Sequence, residues 1–290
     1  DWVKDQLVEL GQARARGLGW PDAYAYTKAL GERALAETRG DVPVSIVRPS
    51  IIESALAEPK PGWIRGFRMA EPVIISYGRG LLAEFPGIPE GVIDVIPVDL
   101  VVSAVIAVAA KGPEPDRVAV YQSASGSRNP LRYRQLVDLV RAWYTEHPLY
   151  DSHGQPIVVP EWSFPGRGRV QRQLQRASKV LGMAEKTVTQ LPIRGKQAEV
   201  SARLEERKGD IERALGYVEL YGAYAETEAN FRVDRLLELA ATVDDAGFTL
   251  DPAVIDWPDF VTNIHMPSIV KNARVRTTPG KRTGPSRSER

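Results

Sequence analysis

Tyr24 and Lys28 are the residues whose types and spacing most directly indicate chemistry. Four positions separate them in a segment of helical character, so their side chains share one helix face. A free phenol has a pKa of about 10, and a neighbouring ammonium favours the phenolate and tunes the group for proton transfer. The pair is therefore a candidate proton donor with a cation beside it, and such an ammonium can also donate hydrogen bonds to ribose hydroxyls of a nicotinamide cofactor. Tyr26 cannot replace Tyr24 in this pair, because it points to the other side of the helix. The same spacing also fits an amphipathic helix that has no catalytic role.

The elements around this pair alternate between helix and strand. The helix that carries the pair opens at Pro21 and runs to about Thr38, and the run 42–48, ended by Pro49, is typical of a buried parallel strand. The other predicted elements are a helix at 1–16, a strand at 92–96, a helix at 100–110 with Asp99 as its N-cap, and a strand at 118–122. This order indicates an α/β domain with a parallel sheet.

The pattern changes near residue 128. Asn129 and Pro130 open a predicted helix with apolar residues along one face, and no strand pattern follows residue 166. We therefore predict an α/β domain over 1–128 and an α-helical second domain over 129–270. A basic tail, rich in Pro, Gly, Ser and Thr and predicted to be disordered, follows over 271–290.

Composition and charge exclude several classes of protein. The chain has no cysteine, and its three histidines lack the spacing of a zinc site, so we predict no metal. Basic residues are concentrated in the tail while the rest of the chain is mildly acidic, which does not indicate nucleic-acid binding. The apolar stretch 92–110 contains Asp94, Pro97 and Asp99, so no transmembrane segment is predicted. The opening residues lack the pattern of a signal peptide, and we expect a cytoplasmic location.

Four runs of sequence are more specific than the tyrosine–lysine spacing alone. They are YAYTKALGE, PVSIVRPSIIESALAEPKPGW, YGRGLLAEFPG and VIDVIPVDLVVSAVI, within residues 15–125. Together they resemble the fatty acyl-CoA reductase family, a branch of the extended short-chain dehydrogenase/reductases that includes the male sterility reductase domain. FRVDRLL and IDWPDF, later in the chain, resemble the helical C-terminal domain of the same family more loosely.

The resemblance implies roles for five residues. Tyr24 would donate a proton to the carbonyl being reduced, and Lys28 would make that phenol a better donor and hold the nicotinamide ribose. Pro49, Ser50 and Ile52 would line the nicotinamide side of the pocket.

The resemblance also implies the fold, the cofactor and the substrate. Residues 1–128 would be the C-terminal half of a Rossmann-like NAD(P)-binding reductase domain of the extended type, and residues 129–270 the helical C-terminal domain of these reductases. NADPH would be the cofactor and a long-chain acyl-CoA the substrate. The product would be a fatty aldehyde, a fatty alcohol or both.

One part of the family pattern is not identifiable. These enzymes carry a glycine-rich turn for the pyrophosphate well upstream of the tyrosine–lysine pair. Gly78 and Gly80 fit the glycine spacing, but Pro86 and Gly87 end any helix that would follow, so they do not predict a phosphate loop. We therefore expect a fragment that lacks the first half of the Rossmann domain, binds NADPH poorly and is inactive alone.

Several alternatives stay open at the level of sequence. An extended reductase could act on a carrier-protein thioester or a nucleotide sugar, and a non-catalytic fragment could bind lipid or another protein. Peripheral contact with a membrane is open for a lipid-handling protein, although the charge pattern does not indicate it. Trp63 could contact the acyl chain or coenzyme A, or it could be a hydrophobic plug in its loop. For Arg48 a structural ion pair is favoured over a contact with a phosphate. Chain-length preference and oligomeric state are not encoded in any of these motifs.

Overall fold

The computed structural model describes residues 2–66, 70–84, 87–151, 153–165, 229–242, 249–273 and 275–279, with a few isolated positions between 172 and 209. The first described elements are α1 (Trp2–Gly17) and α2 (Ala23–Thr38), and they confirm both helices predicted there. Asp22 caps α2, because its carboxylate accepts a hydrogen bond from the backbone N–H of Ala25 at 2.7 Å.

Two parallel strand pairs confirm the α/β class. β1 (Ser45–Pro49) pairs with the strand Ala119–Ser123, and β2 (Ile51–Glu53) pairs with the strand Val95–Pro97. The helix Val98–Lys111 connects the second pair back to the first, as a parallel arrangement requires. Ser50 therefore separates the end of β1 from the start of β2, and the chain changes its pairing partner there.

Asp94 divides the predicted strand 92–96 into β3 (Val92–Ile93) and β4, which is the strand Val95–Pro97. Its buried carboxylate accepts a hydrogen bond from the backbone N–H of Ser125 at 2.8 Å. β3 pairs antiparallel with Leu131–Arg132, so the two halves of the predicted strand have different partners. The helix Val98–Lys111 is α4, the strand Ala119–Ser123 is β5 and Leu131–Arg132 is β6.

The prediction that Asp99 caps α4 is wrong. The helix begins at Val98, with Pro97 in the capping position and without a side-chain hydrogen bond there. The Asp99 carboxylate instead accepts hydrogen bonds from three successive backbone N–H groups of the preceding loop, at 2.8–3.1 Å: those of Leu56, Ala57 and Glu58. Asp99 therefore holds a loop, because three unpaired N–H groups in reach satisfy a carboxylate better than one helix end does.

The predicted helix opening at Asn129 is also wrong. β6 intervenes, and α5 (Tyr133–Glu146) begins later. The Asn129 side-chain amide donates hydrogen bonds to the carbonyls of Pro252 at 3.0 Å and Ile255 at 2.8 Å. This residue thus ties the end of the sheet to the C-terminal part of the chain, a distant contact that no local pattern reports.

A run of helical turns near the C-terminus packs against the sheet domain. The described elements in this part of the chain are α6 (Asp234–Ala240), a 3₁₀ turn (Pro252–Val254), α7 (Trp257–Asp259), a π-helical segment (Phe260–His265) and α8 (Met266–Asn272). We call residues 257–272 the C-terminal helical run. Its apolar side chains share one buried cluster with β4, α5 and α3 (Glu71–Gly78). Most of the helical stretches predicted after residue 166 lie outside the described residues, as does the predicted tail from residue 280. The predicted start of that tail at residue 271 is wrong, because Lys271 and Asn272 still belong to α8.

Helices α1 and α2 differ from the other long helices in their exposure. Among their residues only Ala15 is buried, while Trp2, Leu7, Leu10 and Leu30 are exposed together with other apolar side chains. Scattered exposed apolar residues are ordinary, but this number on two adjacent helices marks a surface that fits a covering partner. None of the helices described is long and apolar enough to cross a lipid bilayer.

Candidate active site

The predicted proton donor and its lysine occupy the first two turns of α2. Tyr24 is 70% exposed and Lys28 is exposed as well, on the same face of the helix. The hydroxyl of Thr27 donates to the carbonyl of Tyr24 at 2.9 Å, a local bond that leaves the phenol unhindered. Both functional groups are thus presented to solvent, where a cofactor or substrate can reach them.

An ion pair joins this helix face to the sheet. Glu32 lies one turn beyond Lys28, and its carboxylate accepts hydrogen bonds from the Arg48 guanidinium, with Nε at 2.9 Å and 3.1 Å from the two oxygens and Nη2 also in contact. The hydrogen bond from Arg48 is the main reason that the pKa of the Glu32 carboxyl lies below its usual value. The positive charges of Arg48 and Lys28 lower this pKa as well, whereas partial burial of the carboxyl raises it. The interpretation of Arg48 as a structural ion pair is confirmed.

Because residues 24, 28 and 32 lie on one stripe of α2, the ion pair fixes the direction of that stripe. Arg48 is the fourth residue of β1, next to the carboxyl end of the strand. Tyr24 and Lys28 therefore lie on the side of α2 that is turned toward the carboxyl end of β1. Ligands of α/β sheets bind at the carboxyl ends of the strands, so this is the end where a cofactor is expected.

The three predicted nicotinamide-side residues follow at that end. Pro49 is exposed, Ser50 is half-buried and donates its backbone N–H to the Ser123 carbonyl at 2.9 Å, and Ile52 is 40% exposed. The Ser50 hydroxyl oxygen is itself buried, and none of the described residues hydrogen-bonds to it. These three residues thus directly follow Arg48, which joins β1 to α2, and the roles of all five predicted residues stay a prediction.

The glycines with phosphate-loop spacing have a different role. Gly78 is the last residue of α3, so it ends a helix and does not precede one. A Cβ on Gly78 would lie 2.3 Å from the Tyr144 ring, and Gly80 has a φ of +71°. These glycines allow close packing and a left-handed turn, and the rejection of a phosphate loop here is confirmed.

Trp63 belongs to a loop that folds back on itself after β2. The backbone N–H of Ala55 donates to the Trp63 carbonyl at 2.9 Å, and that of Gly62 donates to the Ala55 carbonyl at 2.8 Å. Asp99 holds the same loop from α4, as described above. We call residues 54–63 the β2 loop. The Trp63 side chain is 38% exposed, so it is neither a buried plug nor a free surface residue.

A buried polar cluster behind β2 was missed by sequence reasoning. The Ser54 hydroxyl and His265 Nδ1 lie 2.9 Å apart, and His265 Nε2 lies 3.5 Å from a carboxylate oxygen of Glu53. Burial raises the pKa of Glu53 well above its usual value, with the charge of Glu71 adding to the effect, and burial lowers the pKa of His265 to about 4. Glu53 and Ser54 stand inside the run RPSIIES, but nothing in the sequence pairs them with a histidine more than 200 positions away.

Comparisons with known proteins show which proteins the chain is similar to. Residues 3–105 match the family model of the male sterility protein, which is an NAD-binding domain. The chain is 36% identical to fatty acyl-CoA reductase 2, chloroplastic, of Arabidopsis thaliana, over 91% of this chain and 44% of that protein. It is 31% identical to fatty acyl-CoA reductase 1 of the same plant, over 92% of this chain and 55% of that protein. It is 30% identical to the alcohol-forming fatty acyl-CoA reductase of Simmondsia chinensis, over 93% of this chain and 56% of that protein.

The fold and the family match together define an α/β protein of the nicotinamide-dinucleotide-binding class. Within that class, the chain is similar to fatty acyl-CoA reductases over 91–93% of its own length. The chain spans about half the length of the curated relatives it matches.

Proposed function

We propose that this chain forms part of an oxidoreductase that reduces long-chain fatty acyl-CoA with NADPH, to the aldehyde, the alcohol or both. One observation carries the proposal beyond the family match. The stripe of α2 with Tyr24 and Lys28 is joined to the end of β1 by the pair of Glu32 with Arg48. Because an α/β sheet receives its cofactor at the carboxyl ends of its strands, this connection supports Tyr24 as the proton donor and Lys28 as the cation that holds the ribose.

The residues at the end of β1 fit the nicotinamide end of such a cofactor. The buried Ser50 hydroxyl has no partner among the described residues, and an unsatisfied buried hydroxyl is costly unless a ligand completes it. Ile52 offers an exposed apolar side chain beside it for a planar ring, and Lys28 offers three N–H donors for ribose hydroxyls. The carboxamide and ribose of NADPH match this set in chemistry.

The proposed chemistry assigns each residue a separate task. When bound, NADPH supplies a hydride to the thioester carbonyl. Tyr24 gives its proton to the oxygen on which negative charge develops. When the C–S bond breaks and the aldehyde forms, that hydroxyl loses its proton and the sulfur gains one, so coenzyme A leaves as the thiol. Lys28 favours the loss of the Tyr24 proton through its charge and holds the ribose in place. Ile52 and Pro49 shield the reacting carbon from water.

Binding of the rest of the dinucleotide requires more of the sheet than the described strands provide. Among those strands, β1 pairs only with β5, and its residues are half-buried or exposed, whereas strands of parallel sheets are usually covered on both faces. The exposed apolar residues of α1 and α2 lie in the same part of the molecule. We propose that further strands and their helices, with a glycine-rich turn for the pyrophosphate, cover this side in the working enzyme.

The experiment is a product assay of the complete gene product with NADPH and hexadecanoyl-CoA. We expect NADPH oxidation with formation of hexadecanal, hexadecanol or both, detected by gas chromatography. Tyr24→Phe should lower the rate by about 10²–10⁴-fold, the usual contribution of a positioned acid, while the matched variant Tyr26→Phe retains the rate. Reduction of only a carrier-protein thioester, or conversion of a nucleotide sugar, would overturn the choice of substrate.

A second measurement concerns the isolated chain. Titration of NADPH fluorescence with purified residues 1–290 should show weak binding without saturation at micromolar concentrations. Tight saturable binding would contradict the proposed need for further strands, and it would leave the reductase assay of the complete protein unaffected.

A further inference from the structure

Three buried side chains connect the end of β2 to the C-terminal helical run. Glu53, Ser54 and His265 are each at most 5% exposed. The Ser54 hydroxyl lies 2.9 Å from His265 Nδ1, and the Glu53 carboxyl lies 3.5 Å from His265 Nε2 on the other side of the ring. A serine, a histidine and a glutamate in this order have the composition of a hydrolytic triad. Their complete burial excludes that chemistry, since no ester or thioester can reach the Ser54 hydroxyl.

The protonation state of the cluster follows from its surroundings. Two carboxyl groups, those of Glu53 and Glu71, are buried close to one another, and neither oxygen of Glu53 has a hydrogen bond from the described residues. An ionised Glu53 would therefore lack compensation, and its neutral form is favoured. The 3.5 Å contact of Glu53 with Nε2 then joins two neutral groups, and the hydrogen bond of the imidazole is the one between Nδ1 and the Ser54 hydroxyl. This arrangement leaves no buried charge on any of the three.

The C-terminal helical run touches the β2 loop at a second point. The Ser268 hydroxyl donates a hydrogen bond to the Gly62 carbonyl, and Gly62 fits only because it lacks a side chain. A Cβ there would lie 2.9 Å from both the Ile264 carbonyl oxygen and the Ser268 Cβ. His265 thus holds the start of the loop, and Ser268, one turn later, holds its end.

The loop and strand fixed in this way carry two exposed hydrophobic side chains. Ile52 precedes Glu53 on β2, so its side chain points to the opposite face, toward solvent. Trp63 closes the other end of the loop and is 38% exposed. Ile52 lies two residues before Ser54 and Trp63 directly follows Gly62, so a shift at either anchor would displace the neighbouring hydrophobic side chain.

We propose that His265 is a positioning residue of the reductase site: through Glu53 and Ser54 it fixes β2 and the β2 loop so that Ile52 and Trp63 bind the apolar part of the acyl substrate. This inference rests on the proposed function, because it assigns that site its substrate contact. His265 does not touch the reacting atoms. Its effect is on the binding of substrate, and proton transfer from Tyr24 stays intact.

The test is steady-state kinetics of the complete gene product with hexadecanoyl-CoA and NADPH. For His265→Ala we expect KM for the acyl-CoA to rise about tenfold or more, with kcat per correctly folded molecule within about threefold of the wild type. Ser54→Ala should change KM in the same direction, and the double variant should be no worse than the more severe single variant because the two residues act as one unit. Glu53→Gln retains a neutral polar side chain of the same size beside Nε2 and should keep KM within about threefold.

A matched control lies on the same helical run. Asn263 is exposed and its amide donates a hydrogen bond to the Asp259 carboxylate within the C-terminal helical run, so Asn263→Ala should leave KM and kcat unchanged. A purely structural role of His265 would lower the melting temperature and the fraction of active molecules but leave KM of the active molecules at the wild-type value. That result would overturn the proposal, and so would additive effects of His265→Ala and Ser54→Ala.

Hydrogen exchange separates this proposal from the proposed reductase activity. In His265→Ala the amides of Ala55, Gly62 and Trp63 should exchange faster, while those of α4 and β5 remain as in the wild type. Unchanged exchange in the loop would refute the positioning role even in an active reductase. Faster exchange in a protein that does not reduce acyl-CoA would retain the loop anchor and refute its assignment to acyl substrate.

Discussion

Arg48 of β1 and Glu32 of α2 form a two-pronged ion pair that spans 16 positions of sequence. Both Glu32 oxygens accept from the guanidinium Nε, and Nη2 contacts one of them as well. A planar guanidinium held at two points fixes orientation as well as distance, which a lysine in the same place would not do. The pair therefore sets the rotation of α2 about its axis, and with it the direction of Tyr24 and Lys28.

Loss of this pair should affect activity more than stability. The Arg48 and Glu32 side chains are 49% and 29% exposed, so we expect Glu32→Gln to cost only about 0.5 kcal/mol of the free energy of unfolding. The rate of acyl-CoA reduction should fall about tenfold, because Tyr24 loses its fixed direction. The control is Glu37→Gln, which breaks the pair of Arg33 with Glu37 on the outer side of the same helix. An equal loss of rate in both variants would contradict an orienting role of Arg48.

Replacement of Lys28 tests the cofactor side of the same stripe. Lys28→Met keeps a long side chain but removes the charge, and we expect the Kd of NADPH to rise about 10–100-fold, as for loss of a charged hydrogen-bond donor. Fluorescence titration of the complete gene product measures this constant. Lys60→Met, an exposed lysine of the β2 loop, should leave it unchanged. Wild-type affinity in Lys28→Met would remove Lys28 from the cofactor site.

The local elements were predictable because their signals are local. The Asp22 cap, the Gly and Pro boundaries and the β-branched runs lie within a few residues of the helices and strands that they delimit. The YxxxK spacing placed two side chains on one face, and the RPSIIES run indicated the family. These signals located the region of the candidate site, at the end of β1.

The contacts that position the site were not predictable in this way. Asp99 has the sequence context of a helix cap, yet it holds three N–H groups of a loop more than 40 positions earlier. His265 has no metal-type spacing and no nearby acid in sequence, yet it lies between Glu53 and Ser54. In each case the partner is brought close by the packing of the C-terminal helical run or α4, and a single sequence carries no record of such tertiary pairs.

The buried pair of Glu53 and His265 predicts two opposite dependences of stability on pH. His265 has a pKa lowered to about 4 in the fold, so its contribution is present above its ordinary pKa of 6.5 and is lost as pH falls toward 4. Glu53 has a raised pKa, so its contribution is present below 4.5 and is lost as pH rises through the folded value. In the pH range between these values, a fall in pH weakens the contribution of His265 to stability and strengthens that of Glu53.

Single variants should separate the two contributions. In Glu53→Gln only the histidine remains, and we expect the free energy of unfolding to fall by about 2 kcal/mol between about pH 7 and about pH 5, a fall that the raised pKa of Glu53 opposes in the wild type. In His265→Gln the carboxyl remains, and stability should rise relative to the wild type over the same interval. Urea denaturation of the complete gene product at both pH values measures the differences. Equal pH slopes in both variants would contradict burial as the origin of the two shifts.

Gly62 offers the sharpest test of the contact between the β2 loop and the C-terminal helical run. Its φ of +74° disfavours any other residue, and a Cβ would meet the Ile264 carbonyl and the Ser268 side chain at 2.9 Å. We expect Gly62→Ala to lower the free energy of unfolding by about 2–4 kcal/mol, the sum of left-handed strain and overpacking. Gly31→Ala is the matched control, because Gly31 lies inside α2 with no atom within 4 Å of its would-be Cβ. That control should gain about 0.5–1 kcal/mol from the better helix former. Thermal unfolding monitored by circular dichroism compares the stability of the two variants. A Gly62→Ala variant as stable as the wild type would mean that the C-terminal helical run does not pack closely against the β2 loop at this position.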